Sequence, residues 1–308
     1  MKVNEFVTDE IKGRRVVFMR KVVVLVLIGL FWCSTLAFAD TKSIDITEPE
    51  RLFEQGNQSL ELKDYQKAIK FYTDVIKLNP QDERAYSQRA SAYTRAKEYD
   101  LALADYKKVI EINPRNLRAY QDLSSLYRYP LKEYDLALAI YTQGIESNPK
   151  EAVLYSGRGG VYASLKEYDL ALADYTKGIE VSPKRAEPYI KRGNFYLFVR
   201  SQSDLALADF EKGIEVDPKN RSTYKARAVL YKFFDKNYGL ALVDHTKVIE
   251  LKPNDGKSYE ERGTFYRNQL KQYDLALSDY TKAIELSPKS SDYYASRASL
   301  YREKNNLT

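Results

Sequence analysis

The chain has 308 residues, 44% apolar and 30% charged, with 49 Lys and Arg against 43 Asp and Glu for a net charge of +6. That is too apolar for a disordered chain and too charged for a polytopic membrane protein. One histidine, His245, and one cysteine, Cys33, leave no Cys/His zinc site and no disulfide framework, and they argue against most enzyme classes.

The first 39 residues read as an N-terminal extension and signal peptide. Arg20 and Lys21 precede the apolar run VVVLVLIGLFW at 22–32, and Ala37-Phe38-Ala39 offers small residues ahead of Asp40. This is the order of a secretory signal. The alternative is an uncleaved anchor to the inner membrane over residues 22–38, short against the roughly 20 apolar residues of a span. Met19 would begin a more compact signal than Met1. The location expected is therefore exported, periplasmic or extracellular. Without residues 1–39 the balance is 43 basic to 40 acidic groups, too even to suggest nucleic-acid binding, and no cysteine remains. Residues 40–48 form a short linker.

From residue 49 the chain is periodic. Pro80, Pro114, Pro149, Pro183, Pro218, Pro253 and Pro288 follow one another at intervals of 34 or 35 residues. A fixed period in this range means a solenoid. Each period holds two helical patterns. The first carries tyrosines around a small residue, as in Tyr155, Gly159 and Tyr162. The second reads YDLALADYTKGIE, and the proline closes it. The repeats run 49–82, 83–116, 117–151, 152–185, 186–220, 221–255 and 256–290, with a capping helix in 291–308. In four repeats the extra residue is expected in the turn within the repeat, marked once by Pro130, without disturbing helix register.

Small residues recur in register: Gly56, Ala90, Ser124, Gly159, Gly193, Ala228, Gly263 and Ala298 in the first helix, and Ala68, Ala102, Ala137, Ala171, Ala206, Ala241 and Ala276 in the second. On these positions residues 49–308 resemble the tetratricopeptide repeat family. The resemblance implies an all-α, right-handed superhelical solenoid of stacked antiparallel helix pairs, seven repeats plus a C-terminal cap. It also implies a concave groove, lined by the first helix of each repeat, that binds a partner peptide or helix.

One pattern is internal to this sequence. The first helix carries Arg89, Arg158, Arg192, Arg227 and Arg262, and the second helix of the same repeats carries Asp105, Asp174, Asp209, Asp244 and Asp279. Repeat one has Gln55 with Phe71, and repeat three has Leu123 with Ile140. Both charges are present or both absent, which suggests an ion pair within each repeat, since a half-buried Arg left alone is costly. Copying of a duplicated repeat would also carry the two residues together.

Carried over by register, the candidate groove residues are Arg84, Gln88, Arg95, Arg118, Gln121, Asp122, Arg128, Gly157, Gly160, Ile190, Lys191, Asn194 and Lys225. Four arginines against Asp122 suggest a basic entry for an acidic segment. Gly157 and Gly160, beside Ile190, Leu197 and Phe198, suggest a shallow apolar pocket. The same residues also fit solvated helix faces and loose glycine packing. The family's carboxylate clamp is not matched, because Ile190 stands where a Lys would precede Asn194. His245 replaces the aromatic of other repeats and reads as a packing substitution. The function expected is a scaffold or adaptor for another protein in the cell envelope. The alternative is a ligand- or carbohydrate-binding accessory factor using the tyrosines. No catalytic residue, cofactor or metal is assigned.

Overall fold

The computed structural model describes residues 47–305. The signal segment, its start and its cleavage site lie outside these residues. Fifteen α-helices and no strand are present among the described residues. They alternate as first and second helices of each repeat: α1 Glu48–Glu61 and α2 Tyr65–Leu78, α3 Glu83–Ala96 and α4 Tyr99–Ile112, α5 Leu117–Arg128 and α6 Tyr134–Ser147, α7 Ala152–Ser164 and α8 Tyr168–Val181. Then come α9 Ala186–Phe198 and α10 Ser203–Val216, α11 Arg221–Phe233 and α12 Tyr238–Leu251, α13 Gly256–Phe265 and α14 Tyr273–Leu286, and last α15 Ser291–Asn305. No described helix is long and apolar enough to cross a membrane.

Each helix packs on its chain neighbours, and odd-numbered helices of adjacent repeats touch, as in α5 with α7 and α9 with α11. The described residues form a solenoid whose buried core runs as a series of clusters along the array. The small residues explain how the pairs close up. Ala68, Ala102, Ala137, Ala171, Ala206, Ala241 and Ala276 are all fully buried at 0% exposure. Helices of 10 to 15 residues are marginal alone in water, so this stacking supplies their stability.

Helix ends follow local chemistry. The residue before each proline turns extended and stops the even-numbered helix: Asn79 at φ −138°, Asn113 at −135° and Lys252 at −149°. In four repeats the tyrosine of the next helix then latches this corner. Tyr120, Tyr155, Tyr189 and Tyr224 each donate a hydrogen bond to the proline carbonyl six residues earlier, at 3.0–3.2 Å. Asp100, Asp135, Asp169 and Asp274 fall in the first turn of their helices, where the N-terminal dipole favours them.

The extra residue behaves in two ways. In repeats three, five and six it lengthens the turn, as expected. In repeat seven it enters the helix instead, where α13 continues into a π-helical turn, Tyr266–Leu270. One added residue within a helix produces this wider turn, so the register there is disturbed after all. The outward face of α15 also differs from a polar cap, since Tyr294 and Tyr301 are exposed at 44% and 47%.

Candidate functional site

Two sets of side chains organise the molecule: one between the helices of each repeat, the other on the face formed by the odd-numbered helices.

The first set is built on the arginines. Arg89 Nε and Nη2 donate to Asp105 Oδ2 and Oδ1 at 2.7 and 2.8 Å. The same bidentate pair joins Arg158 to Asp174, Arg192 to Asp209, Arg227 to Asp244 and Arg262 to Asp279, at 2.7–3.0 Å. The aspartates are buried, and Asp244 is only 1% exposed. Tyrosines flank the guanidinium, as Tyr86 and Tyr93 do at 5.5 and 5.8 Å from Arg89. The hydrogen bonds and charge of Asp174 hold Arg158 above the usual arginine value, with burial opposing them.

The structure adds a third member that sequence reasoning missed. The remaining guanidinium nitrogen, Nη1, donates to a threonine of the preceding repeat: Arg89 to Thr73, Arg158 to Thr142, Arg192 to Thr176 and Arg262 to Thr246, at 3.0–3.2 Å. The pair therefore locks one repeat to the one before it. The signal was present in the sequence. Where Leu123 replaces the arginine, the preceding repeat has Lys107 in the threonine's place. Glu211 takes that place before Arg227, and burial pushes the Asp244 carboxyl up there, against the pull of Arg227. The arginine side chains keep 15–21% of their surface exposed.

The second set lies on the odd-helix face. Its basic entry is largely self-neutralised. Arg84 contacts Glu50 at 2.8 Å and Asp82 at 2.9 Å, and Arg118 pairs with Asp122 at 3.3 Å. Burial raises the Asp122 carboxyl pKa, with Arg118 opposing. Arg95 is exposed and makes no ion pair among the described residues. Gln88 does line an open cleft of about 360 Å³, with Arg84, Ser87, Ser91, Arg118 and Asp122, while Gln121 is half-buried beside it.

The expected pocket over Gly157 and Gly160 is not there. A Cβ on Gly157 would lie 2.4 Å from the Tyr141 ring, and one on Gly160 2.8 Å from Arg128 Nη1. The glycines are small because Tyr141 and Arg128 occupy the space above them. Arg128 is thereby fixed across the face, donating to Ser164 at 3.0 Å. Ile190 and Leu197 are buried in the core at 9% and 0% exposure, so of the bulky set only Phe198 faces solvent. Lys191 pairs with Glu187 and Lys225 with Glu261, at 3.5 and 2.7 Å, and Asn194 is half-buried. Tyr129, Tyr294 and Tyr301 are exposed, while other tyrosines are packed away. Tyr72, Tyr106, Tyr120, Tyr141, Tyr175 and Tyr280 are all under 8% exposed. Among the described residues no group of His, Cys, Asp and Glu could hold a metal ion.

A second cleft of about 330 Å³ opens on the same face between α11 and α13, over His245. Sequence reading passed it by, because a histidine in an aromatic's place looked like packing alone.

Family models of the tetratricopeptide repeat match residues 49–82, 83–116, 117–151, 152–185 and 256–290, more than half of the chain. Among curated proteins, Hsp70-Hsp90 organizing protein 1 of Arabidopsis thaliana is 50% identical over 42 residues, which are 14% of this chain and 7% of that protein. The match thus spans a small part of that relative's length. Yeast Tom70 aligns with a TM-score of 0.63 at 17% identity, over 87% of this chain and 60% of that one. A tetratricopeptide repeat protein from Parabacteroides merdae aligns with a TM-score of 0.51 at 22% identity, over 82% and 98%. At these identities the two structures speak for the fold alone. With its helix pairs stacked in register and its repeats matched, the chain belongs to the tetratricopeptide repeat family, whose members are scaffolds for protein–protein interaction.

Proposed function

We propose that this chain is an adaptor of the cell envelope that binds an extended segment or a helix of a partner protein along its odd-helix face. The supporting observation is the pair of open clefts on that face, one spanning repeats one to three and the other repeats six and seven. Between them Arg128 and Tyr141 close the surface over Gly157 and Gly160. A partner segment would be gripped at two places along a wall of many small contacts. Support for an envelope location is the order of residues 20–39 and the lack of cysteine after Cys33, which suits an oxidising compartment.

The test is recovery of partners from an envelope extract with the wild-type chain, with Ser87→Trp in the first cleft and with Lys257→Trp in the second. A defined protein retained by wild type and lost from either variant supports the reading. The same protein recovered equally on all three would place binding elsewhere. Mass measurement of the exported form reads the signal: a chain starting at Asp40 supports export with cleavage.

A further inference from the structure

Repeat six departs from the others at one residue that reaches the odd-helix face. Elsewhere the aromatic of the even-numbered helix passes between two odd-numbered helices and fills the space behind that face. The Tyr141 ring fills the space a side chain at Gly157 would need. The Tyr280 hydroxyl meets Thr264 Oγ1 at 3.1 Å, and the Tyr72 hydroxyl donates to Asn57 Oδ1 at 2.9 Å. Tyr175 packs on Phe195 with ring centroids 5.2 Å apart. His245 keeps that last contact, 5.0 Å from Phe265. Its ring is shorter than a phenol, however, and the cleft stands open above it.

The walls of this cleft are apolar: Val229, Phe233 and Phe265, with His245 as the floor. Phe233 is 61% exposed. Four charges rim the cleft, and three are already satisfied. Lys257 holds Glu260 at 2.7 Å, while Glu261 is held by Lys225 of α11 at 2.7 Å. Lys232 makes no ion pair among the described residues, and its ammonium sits 4.5 Å from the Phe233 ring centroid. Burial without a carboxylate lowers its pKa. The imidazole makes no hydrogen bond to a described residue. Burial, then Lys232, Lys225 and Arg262, holds it down to about 4. It is therefore neutral near pH 7.

What this cleft lacks, relative to the tyrosine-bearing repeats, is the outer part of a phenol ring, and its rim carries one ammonium without a carboxylate. We infer that the cleft between α11 and α13 is an anchor for an aromatic side chain with an Asp or Glu beside it, carried on an extended segment of a partner protein. The ring lies on His245 and Phe265 against Phe233, and the carboxylate meets Lys232. An apolar floor with a polar rim is the anatomy of an interface anchor, and the charge-assisted contact sets the register of the segment. This inference rests on the odd-helix face being the binding face and names the chemistry recognised at one end of it.

His245 is the chain's single histidine, so a ring-labelled sample gives one set of imidazole resonances. The probes are three blocked peptides: acetyl-Gly-Asp-Phe-Gly-amide, the same with Lys for Asp, and the same with Ala for Phe. The first should move the His245 signals saturably, and each of the others should bind at least fivefold more weakly. Lys232→Met should weaken the first peptide at least fivefold while the thermal melt stays unchanged. His245→Tyr, followed through the peptide's own resonances, should abolish binding. Unmoved His245 signals, or an equal response to all three peptides, overturn the anchor. Peptide broadening with His245 unmoved would leave binding on the odd-helix face intact while removing the anchor from it.

Discussion

An arginine between two tyrosines, with a buried aspartate across from it, is secure only as a pair. Removing one partner from such a pair leaves an uncompensated buried charge and costs about 3–5 kcal/mol. Arg158→Leu should therefore lose about that much in denaturant unfolding, since Asp174 keeps 9% or less of its side chain exposed. The chain itself contains the remedy, because repeat three carries Leu123 and Ile140 at these two positions. Arg158→Leu with Asp174→Ile should recover to within about 2 kcal/mol of wild type, as buried pairs exchange for packed apolar groups at little net cost. If the double variant is as unstable as the single, the pairing account fails. This much was legible in the sequence, because the two charges vanish together. The threonine was less visible, since it belongs to the preceding repeat and only Lys107 and Glu211 betray its role. The misread glycines show the opposite limit. A missing side chain in sequence looks like a hole, and only the packing shows that Tyr141 and Arg128 fill it. His245 offers a second test at this scale. Its folded pKa is about 4 against 6.5 for the free side chain, so the unfolded chain takes up the proton first. Stability is then lost as pH falls from about 6.5 to 4, by on the order of 3 kcal/mol at full effect. His245→Phe cannot pay this cost, so the difference in stability between variant and wild type should grow in favour of the variant on acidification. A difference that stays constant from pH 7 to 4.5 would contradict it.

Within an element the informative positions are the turns between the two helices of a repeat. Each turn holds one left-handed residue: Lys63, Lys97, Lys132, Lys166, Ser201, Lys236 and Lys271, with φ between 52° and 64°. None is glycine, although this conformation costs other residues about 1–2 kcal/mol. A lysine just past a helix C-terminus regains part of that against the dipole. Lys97→Gly should therefore be near neutral, a gain of up to about 0.5 kcal/mol, because glycine loses more chain entropy on folding. Lys97→Val should cost about 1–2 kcal/mol, since a β-branched side chain tolerates this conformation poorly. Thermal unfolding of the two variants checks the order, and Val as stable as Gly would show that the turn relaxes. That four repeats carry one extra residue was readable from the proline spacing. Which repeat would absorb its extra residue inside the helix was not. Repeats five, six and seven share the same length, and only repeat seven forms the π-helical turn at Tyr266–Leu270.

At the scale of the whole molecule, each repeat touches little beyond its neighbours, and the Arg–Asp–Thr contact is one of the ties between them. Such an array behaves as a row of coupled units rather than a single all-or-none globule. The place of a broken tie should then decide how far its effect spreads. Arg262 belongs to repeat seven and reaches back to Thr246 in repeat six. Arg262→Leu should speed amide hydrogen exchange in α13, α14 and α15 and leave repeats one to four as they were. Arg158 stands in the middle repeat and reaches back to Thr142. Arg158→Leu removes a tie with three repeats on either side, so exchange should quicken in α7 and α8 and the thermal transition should broaden as the two flanks uncouple. Were both variants to accelerate exchange evenly from α1 to α15, the chain would unfold as one unit. The two clefts would then rise and fall together, instead of the cleft over His245 opening with the end of the array while the cleft beside Gln88 persists.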